Sequence, residues 1–322
     1  MRRAIALAAS VRTVTSPNPW VGAVLVAADG STFEGATEPP GGRHAEIVAI
    51  DAARAAGTTT EGATLYSTLE PCSHHGRTPP CTDAVIAANV ERVVIGIQDP
   101  DPLVAGQGIA ELRAAGITVD LGHGASEVRA QLAPYVKHRT TGRPWVLLKL
   151  GASLDGRTAA PNGTSRWITG AAARADAHKL RAESDAVIVG AGTVRADDPA
   201  LTVRNVTGHD PLRVVLGRAP NGARVHPCVE LEGPLADVLD ELGRRGVVQA
   251  MIEGGATVAG AFHREGLVDR YVLYLAPALF GGDDARPMFA GSGVASIHDV
   301  WRGRITNVER LGEDLKVELE PA

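Results

Sequence analysis

The chain has 322 residues, 44% of them hydrophobic, enough for two domains with separate cores. A formal net charge of −5 argues against a general nucleic-acid binder, which shows a basic face. Three cysteines exclude a disulfide framework and fit a reducing cytosol, so a cytoplasmic location is expected.

Residues 2–11 pattern as a short amphipathic helix. The apolar run at 4–11 is too short for a signal peptide, and no run reaches the ~18 residues of a membrane span. Thr15-Ser16-Pro17-Asn18-Pro19 is a turn, because proline fixes φ and removes a donor. Residues 21–27 read as a strand, with Asp29-Gly30 as a hairpin turn. A helix is expected over 45–56, a strand over 64–68, a helix over 84–88 and a buried strand over 92–97. Asp99-Pro100-Asp101-Pro102 breaks that strand, and a helix at 108–115, a strand at 117–121 and a helix at 127–138 follow. Strands alternating with helices indicate an α/β layer fold with a mostly parallel sheet, whose ligands bind beyond the strand C-termini.

Two segments in this half carry chemistry. Gly41-Gly42-Arg43-His44-Ala45-Glu46 supplies an imidazole and a carboxylate, and Cys72 and Cys81 supply two thiols with eight residues between them. One His and two Cys make three protein ligands for a zinc ion and leave the fourth tetrahedral position open, as in catalytic sites. His44-x-Glu46 followed by Pro71-Cys72 and Cys81 is the zinc nucleobase deaminase pattern, with a longer gap between the cysteines than usual. Residues i and i+2 do not share a helix face, so His44 and Glu46 converge only at the first turn of a helix. Glu46 is then no ligand but a proton shuttle between the attacking water and the departing ammonia.

Arg139-Thr140-Thr141-Gly142-Arg143-Pro144 is polar and contains Gly and Pro, which places a boundary there and domains at 1–142 and 143–322. Strands are expected over 145–150, 185–189, 212–216, 247–252, 267–275 and 305–319, with helices over 171–183 and 235–245. No strand is evident between Val215 and Val247. Two strand-to-helix junctions are glycine-rich, Gly190-Ala191-Gly192 and Glu253-Gly254-Gly255. Neither completes the dinucleotide fingerprint, since the residue three after Gly192 is Arg195. Each alone suits a tight turn as well as a phosphate site; together on one sheet they favour a nucleotide-cofactor domain of another type.

The sequence resembles the bifunctional riboflavin-biosynthesis deaminase/reductase family over almost its full length. The resemblance rests on Asn18-Pro19-Trp20-Val21-Gly22, His44-Ala45-Glu46, the stretch from Pro71 to Cys81 with its internal Gly-Arg-Thr-Pro-Pro, and Asp99-Pro100-Asp101-Pro102-Leu103-Val104-Ala105-Gly106. In the second half it rests on Lys149-Leu150-Gly151-Ala152-Ser153-Leu154-Asp155-Gly156, Ser165-Arg166-Trp167-Ile168-Thr169 and Glu253-Gly254-Gly255. It implies a cytidine-deaminase-like three-layer domain followed by a dihydrofolate-reductase-like α/β domain. It implies deamination of 2,5-diamino-6-(5-phosphoribosylamino)pyrimidin-4-one by zinc-activated hydroxide, and then NADPH-dependent reduction of the ribosyl chain to ribityl. NADP over NAD comes from the family alone.

Residue by residue, the resemblance places Asn18, His74, Arg77 and Asp99 around the deaminase substrate. It places Ala152, Trp167, Thr193, Asp197, Gly254, Gly255, Ala256 and Thr257 at NADP. It places Lys149, Ser165, Arg181, Leu201, Arg204 and Glu253 around the reductase substrate. Bland readings stand beside these: Trp167 as core, Arg181 as a helix-surface charge, Asp197-Asp198-Pro199 as a turn. The expected partners are small phosphoribosyl-pyrimidines, with no nucleic acid or membrane, and a homodimer or higher homo-oligomer joined through the reductase halves. Two departures from the family pattern appear. Thr37 stands where many members carry a His seven residues before the zinc His, and the segment 205–246 is short.

Overall fold

In a computed structural model the chain forms two compact units, Met1–Gly142 and Arg143–Ala322. The structure describes residues 1–75, 79–102, 104–204 and 206–322.

The first unit runs α1 (Arg2–Ser10), β1 (Gly22–Val26), β2 (Thr32–Ala36), α2 (Ala45–Ala55), β3 (Thr64–Leu69), α3 (Cys81–Ala87), β4 (Arg92–Ile97), α4 (Gln107–Ala114), β5 (Thr118–Leu121), α5 (Ala125–Gln131) and α6 (Ala133–Thr141). The sheet order is β2-β1-β3-β4-β5. The β1–β2 hairpin and the β1–β3 pair are antiparallel, and β3, β4 and β5 are parallel. Helices cover both faces, and two glycines show how closely. Gly22 and Gly35 point to opposite faces, since Gly35 pairs with Ala23 and side chains alternate along a strand. A Cβ at Gly22 would meet the Ala4 carbonyl of α1, and one at Gly35 the Ala45 carbonyl of α2. The sheet therefore lies between α1 and α2, in three layers.

The helix expected over 127–138 is two helices. Pro134 sits in the first turn of α6 and has no N–H to donate to the preceding turn, so the chain restarts at Leu132. The helix expected from residue 84 begins three residues earlier, at Cys81 itself.

The second unit runs β6 (Trp145–Ser153), β7 (Arg157–Ala159), α7 (Ala171–Ala182), β8 (Ala186–Gly190), α8 (Ala191–Asp197), β9 (Leu212–Leu216), β10 (Val229–Leu231), α9 (Leu235–Arg244), β11 (Gln249–Ile252), α10 (Ala256–Arg264), β12 (Arg270–Ala276), β13 (Arg286–Pro287), β14 (Gly303–Leu311) and β15 (Asp314–Pro321). Eight strands make one sheet in the order β10-β9-β8-β11-β6-β12-β15-β14. It is parallel from β10 to β12 and antiparallel at β15 and β14. Alternation along the strands feeds two cores. Leu148, Ile188, Val214 and Ile252 pack with Leu239 of α9 and Phe262 of α10. Leu147, Val187, Val215 and Met251 pack with Ala177 of α7 and Val194 of α8.

The strand β10 corrects the reading of residues 215–247 as strandless. It has three residues, all half-buried, at the sheet edge beside β9, and is too short to give a hydrophobic period. Among the described residues no helix is long and apolar enough to cross a membrane.

Candidate active sites

In the first unit the loops after β3 and β4 and the start of α2 enclose a cavity of about 580 Å³. His44 caps α2 in an extended conformation, and Glu46, in the first turn, is buried. Cys72 lies in the loop after β3, and Cys81 opens α3. His44 Nδ1 is 3.2 Å from Cys81 Sγ and 3.4 Å from Cys72 Sγ, and the Cys81 amide donates to Cys72 Sγ at 3.4 Å. The three ligand atoms lie within 4.8 Å of one another, the one such cluster among the described residues. One imidazole nitrogen and two sulfurs around a common point suit zinc and leave one tetrahedral position for another ligand.

The charges in this cluster are linked. The Cys81 thiol donates to Cys72 and, being buried as well, is pushed up; Cys72 receives that bond and one from His44, and is drawn down. His44 is raised, first by its bond with Cys72. Glu46 is raised by burial first and by the charge at Cys72 second. Ser67 Oγ lies 3.2 Å from Glu46 Oε1 and 2.7 Å from the Leu69 carbonyl, which fixes the carboxylate beside the cluster.

Asn18, His74 and Asp99 line the same cavity; Arg77 lies outside the described residues. Asp99 is pushed up to about 6, chiefly by burial. Its oxygens accept the Tyr135 hydroxyl at 3.4 and 3.5 Å. Tyr135 and Arg139, four residues apart on α6, both reach the wall, with the guanidinium 5.1 Å from the Tyr135 ring centroid. Their spacing was visible in the sequence, but nothing there tied α6 to this cavity. Glu70 was also silent. It is buried, and its carboxylate accepts the amides of Asp99 and Gly106, both at 3.0 Å, and of Ile109 at 3.1 Å. Thr37 lines the cavity too, but its hydroxyl is engaged with the Val21 backbone.

The second unit holds a cavity of about 590 Å³ at the ends of β8 and β11. Lys149 of β6, Arg181 of α7 and Glu253, just after β11, meet at its base. Arg181 Nη2 donates to both Glu253 oxygens at 2.7 and 2.9 Å, and Lys149 Nζ lies 3.4 Å from Oε1. Burial pushes the Glu253 carboxyl up, but the Lys149 and Arg181 charges outweigh it and hold the group below the usual range. Arg181 is 6% exposed, which removes the reading of it as a surface charge.

Thr193 Oγ1 accepts the Gly255 amide at 3.1 Å, so the two glycine-rich junctions touch. Gly254, Gly255 and Ala256 continue that wall, and Asp197, at the end of α8, accepts Arg166 on its carbonyl at 2.7 Å. Trp167 is 69% exposed and carries the Arg174 guanidinium 4.5 Å from its ring centroid, so it is no core residue. Ser165, Leu201 and Arg204 reach the cavity. The side chains of two expected residues do not: Ala152 is fully buried within β6, and Thr257 is exposed in the first turn of α10. Arg174, His178 and Arg181 recur at i, i+4 and i+7 on one face of α7, a stripe from which the sequence reading took only Arg181.

The sequence model of the cytidine and deoxycytidylate deaminase zinc-binding region matches residues 1–97, and that of the RibD C-terminal domain matches residues 144–317. Fold and sites define a zinc-dependent deaminase joined to a reductase, a hydrolase and an oxidoreductase on one chain. The riboflavin biosynthesis protein RibD of Escherichia coli is 39% identical over 99% of this chain and 98% of its own. That of Mycobacterium tuberculosis is 43% identical over 96% and 93%. RibD of Acinetobacter baumannii superposes with a TM-score of 0.93 at 39% identity, covering 100% of this chain and 97% of that one. A Thermotoga maritima diaminohydroxyphosphoribosylaminopyrimidine deaminase/5-amino-6-(5-phosphoribosylamino)uracil reductase gives 0.90 at 35% identity, with the same coverage. The chain belongs to the RibD family of bifunctional riboflavin biosynthesis enzymes.

Proposed function

We propose that the first unit deaminates 2,5-diamino-6-(5-phosphoribosylamino)pyrimidin-4-one, and that the second reduces the ribosyl chain of the product to ribityl with NADPH. The observation that carries this reading is the convergence of His44, Cys72 and Cys81 beside a buried carboxylate, on a chain whose second cavity joins two glycine-rich turns to a cationic floor.

His44, Cys72 and Cys81 would hold zinc, which would supply the Lewis acidity that activates water near neutral pH. Glu46, held by Ser67, takes the two protons of the attacking water in turn and delivers one to the ring nitrogen and the other to the leaving amine. Asn18 and Asp99 hydrogen-bond the pyrimidine edge and His74 serves the ribose phosphate, a role the family resemblance also gives to Arg77. Glu70 keeps the segment bearing Asp99 in place by gathering three of its amides. In the second unit bound NADPH would supply the hydride that reduction of the ribosyl chain requires. Trp167, Thr193, Asp197 and the turn from Gly254 to Ala256 hold the cofactor side, and Ala152 and Thr257 act on it only through the backbone they belong to. Lys149, Ser165, Arg181, Leu201, Arg204 and Glu253 form the sugar-phosphate side, where two guanidiniums suit a phosphorylated ligand.

A homo-oligomer joined through the second unit fits β14, an edge strand that exposes Ile305 and Val308. The free thiols and the NADPH chemistry fit a cytoplasmic setting.

One coupled assay tests the whole reading. The diaminopyrimidine substrate is supplied with NADPH, and ammonia release and nicotinamide absorbance are followed together. Ammonia first and NADPH consumption after it support the reading; NADPH consumption without ammonia overturns the order, and neither overturns the substrate.

A further inference from the structure

We propose that His178 is a positioning residue of the reductase, holding Arg204 and Arg181 in the geometry that receives the phosphorylated sugar. The inference rests on the assignment of those two arginines to the substrate side.

Residues 201–204 have no regular secondary structure, yet their backbone is tied at successive points by side chains. Leu201 is buried at a φ of +52° and anchors the bend. The Thr202 carbonyl accepts Arg181 Nη1 at 2.5 Å, and the Val203 amide donates to Asp210 at 2.7 Å. The Arg204 amide donates to His178 Nδ1 at 3.2 Å. Arg204 then folds its own Nη1 onto Thr202 Oγ1 at 3.1 Å, at the cavity rim.

A main-chain N–H can only donate, so His178 Nδ1 carries no proton and the ring is the neutral Nε2–H form. The same lone pair faces Arg181 Nη1 at 3.4 Å. The surroundings keep it neutral: burial lowers its basicity most, then the charges of Arg181 and Arg204, with Glu253 opposing and Lys149 adding to the fall. One nitrogen thus faces both cations: Arg204 through its main chain, Arg181 through its guanidinium. A phosphate dianion binds tightly to guanidiniums already in place and loosely to ones it must first collect.

The test uses the full chain, NADPH and the deaminated uracil substrate. His178→Ala should raise KM for the uracil substrate about tenfold, the worth of one hydrogen bond. KM for NADPH, kcat and ammonia release from the diaminopyrimidine should not move, and the last reports that the chain is folded. His178→Asn places an amide oxygen where Nδ1 lies and should restore KM. His178→Gln, whose polar end falls nearer the position of Nε2, should not; it also stands in if the Ala variant fails to fold. Unchanged KM in H178A, or an equal rise for NADPH, or no difference between H178N and H178Q, overturns the proposal. Arg204→Ala separates the two layers of argument. If R204A leaves KM alone, the assignment of Arg204 itself fails; if R204A raises KM and H178A does not, only the positioning role fails.

Discussion

Gly35 of β2 lies against the carbonyl of Ala45, the first residue of α2, so closely that a Cβ at 35 would stand 2.0 Å from that oxygen and 2.7 Å from the Ala49 amide. Both obstacles are backbone, so a side chain there must move α2, and α2 carries His44 at its cap and Glu46 in its first turn. Gly35→Ala should therefore weaken zinc binding as well as stability. Gly30→Ala, in the open hairpin turn, tests the alternative, because it strains a φ of +86° without touching any neighbour. Metal analysis of both variants checks this: zinc should be lost from G35A and kept in G30A.

Glu46→Gln keeps the volume and the Ser67 contact but cannot take up a proton. Ammonia release should fall by roughly 10²–10⁴-fold, the range for a lost general acid–base group. Bound zinc and NADPH oxidation with the deaminated substrate should be unchanged, and turnover close to wild type would reject Glu46 as the proton carrier.

Removing the metal should divide the two activities. Chelation, or Cys72→Ser, should abolish ammonia release and lower the thermal transition of the first unit, since a bound metal stabilises only the folded site. The reductase step should persist, because the described residues around its cavity belong to the second unit. Parallel loss of both steps would show that the metal supports the second site as well.

Asp99 sets a pH dependence. Its folded value of about 6 lies above the ordinary 3.8 because burial disfavours the charge. Between those values the folded chain holds a proton that the unfolded chain has released, so this group's contribution to stability falls as pH rises through that window. Reading the pyrimidine edge calls for the carboxylate, so deaminase KM should climb as pH drops below about 6. Asp99→Asn should flatten that limb; a limb that survives in D99N belongs to another group.

Ile305→Glu with Val308→Glu places two charges on the exposed face of β14. Sedimentation should then show a smaller species than the wild-type chain, with both activities measured alongside. An unchanged sedimentation coefficient would put the contact elsewhere.

The metal cluster was legible because its chemistry lies in residue type and order: an imidazole, a carboxylate and two thiols, each at a loop-to-helix junction. The strands β4 and β8 were legible because buried parallel strands are continuous apolar runs. Glu70 was not, since its partners are three main-chain amides 29–39 residues away, in the loop before α4 and in its first turn, and amides leave no mark in a sequence. His178 was hidden for the same reason. The break at Leu132 was missed because Pro134 stands where a continuous helix and the first turn of a new one look alike in sequence. Ala152 and Thr257 were carried over with whole stretches, and adjacent residues of a strand or helix turn point in different directions, so neither side chain lines the cavity.

The face of α7 that presents Arg174, His178 and Arg181 has a genetic corollary. A helix turns ~100° per residue. A single codon inserted between His178 and Arg181 would swing the second guanidinium about a quarter-turn away from Glu253 while leaving every amino acid type in place. Length in this stretch is therefore held more rigidly than composition.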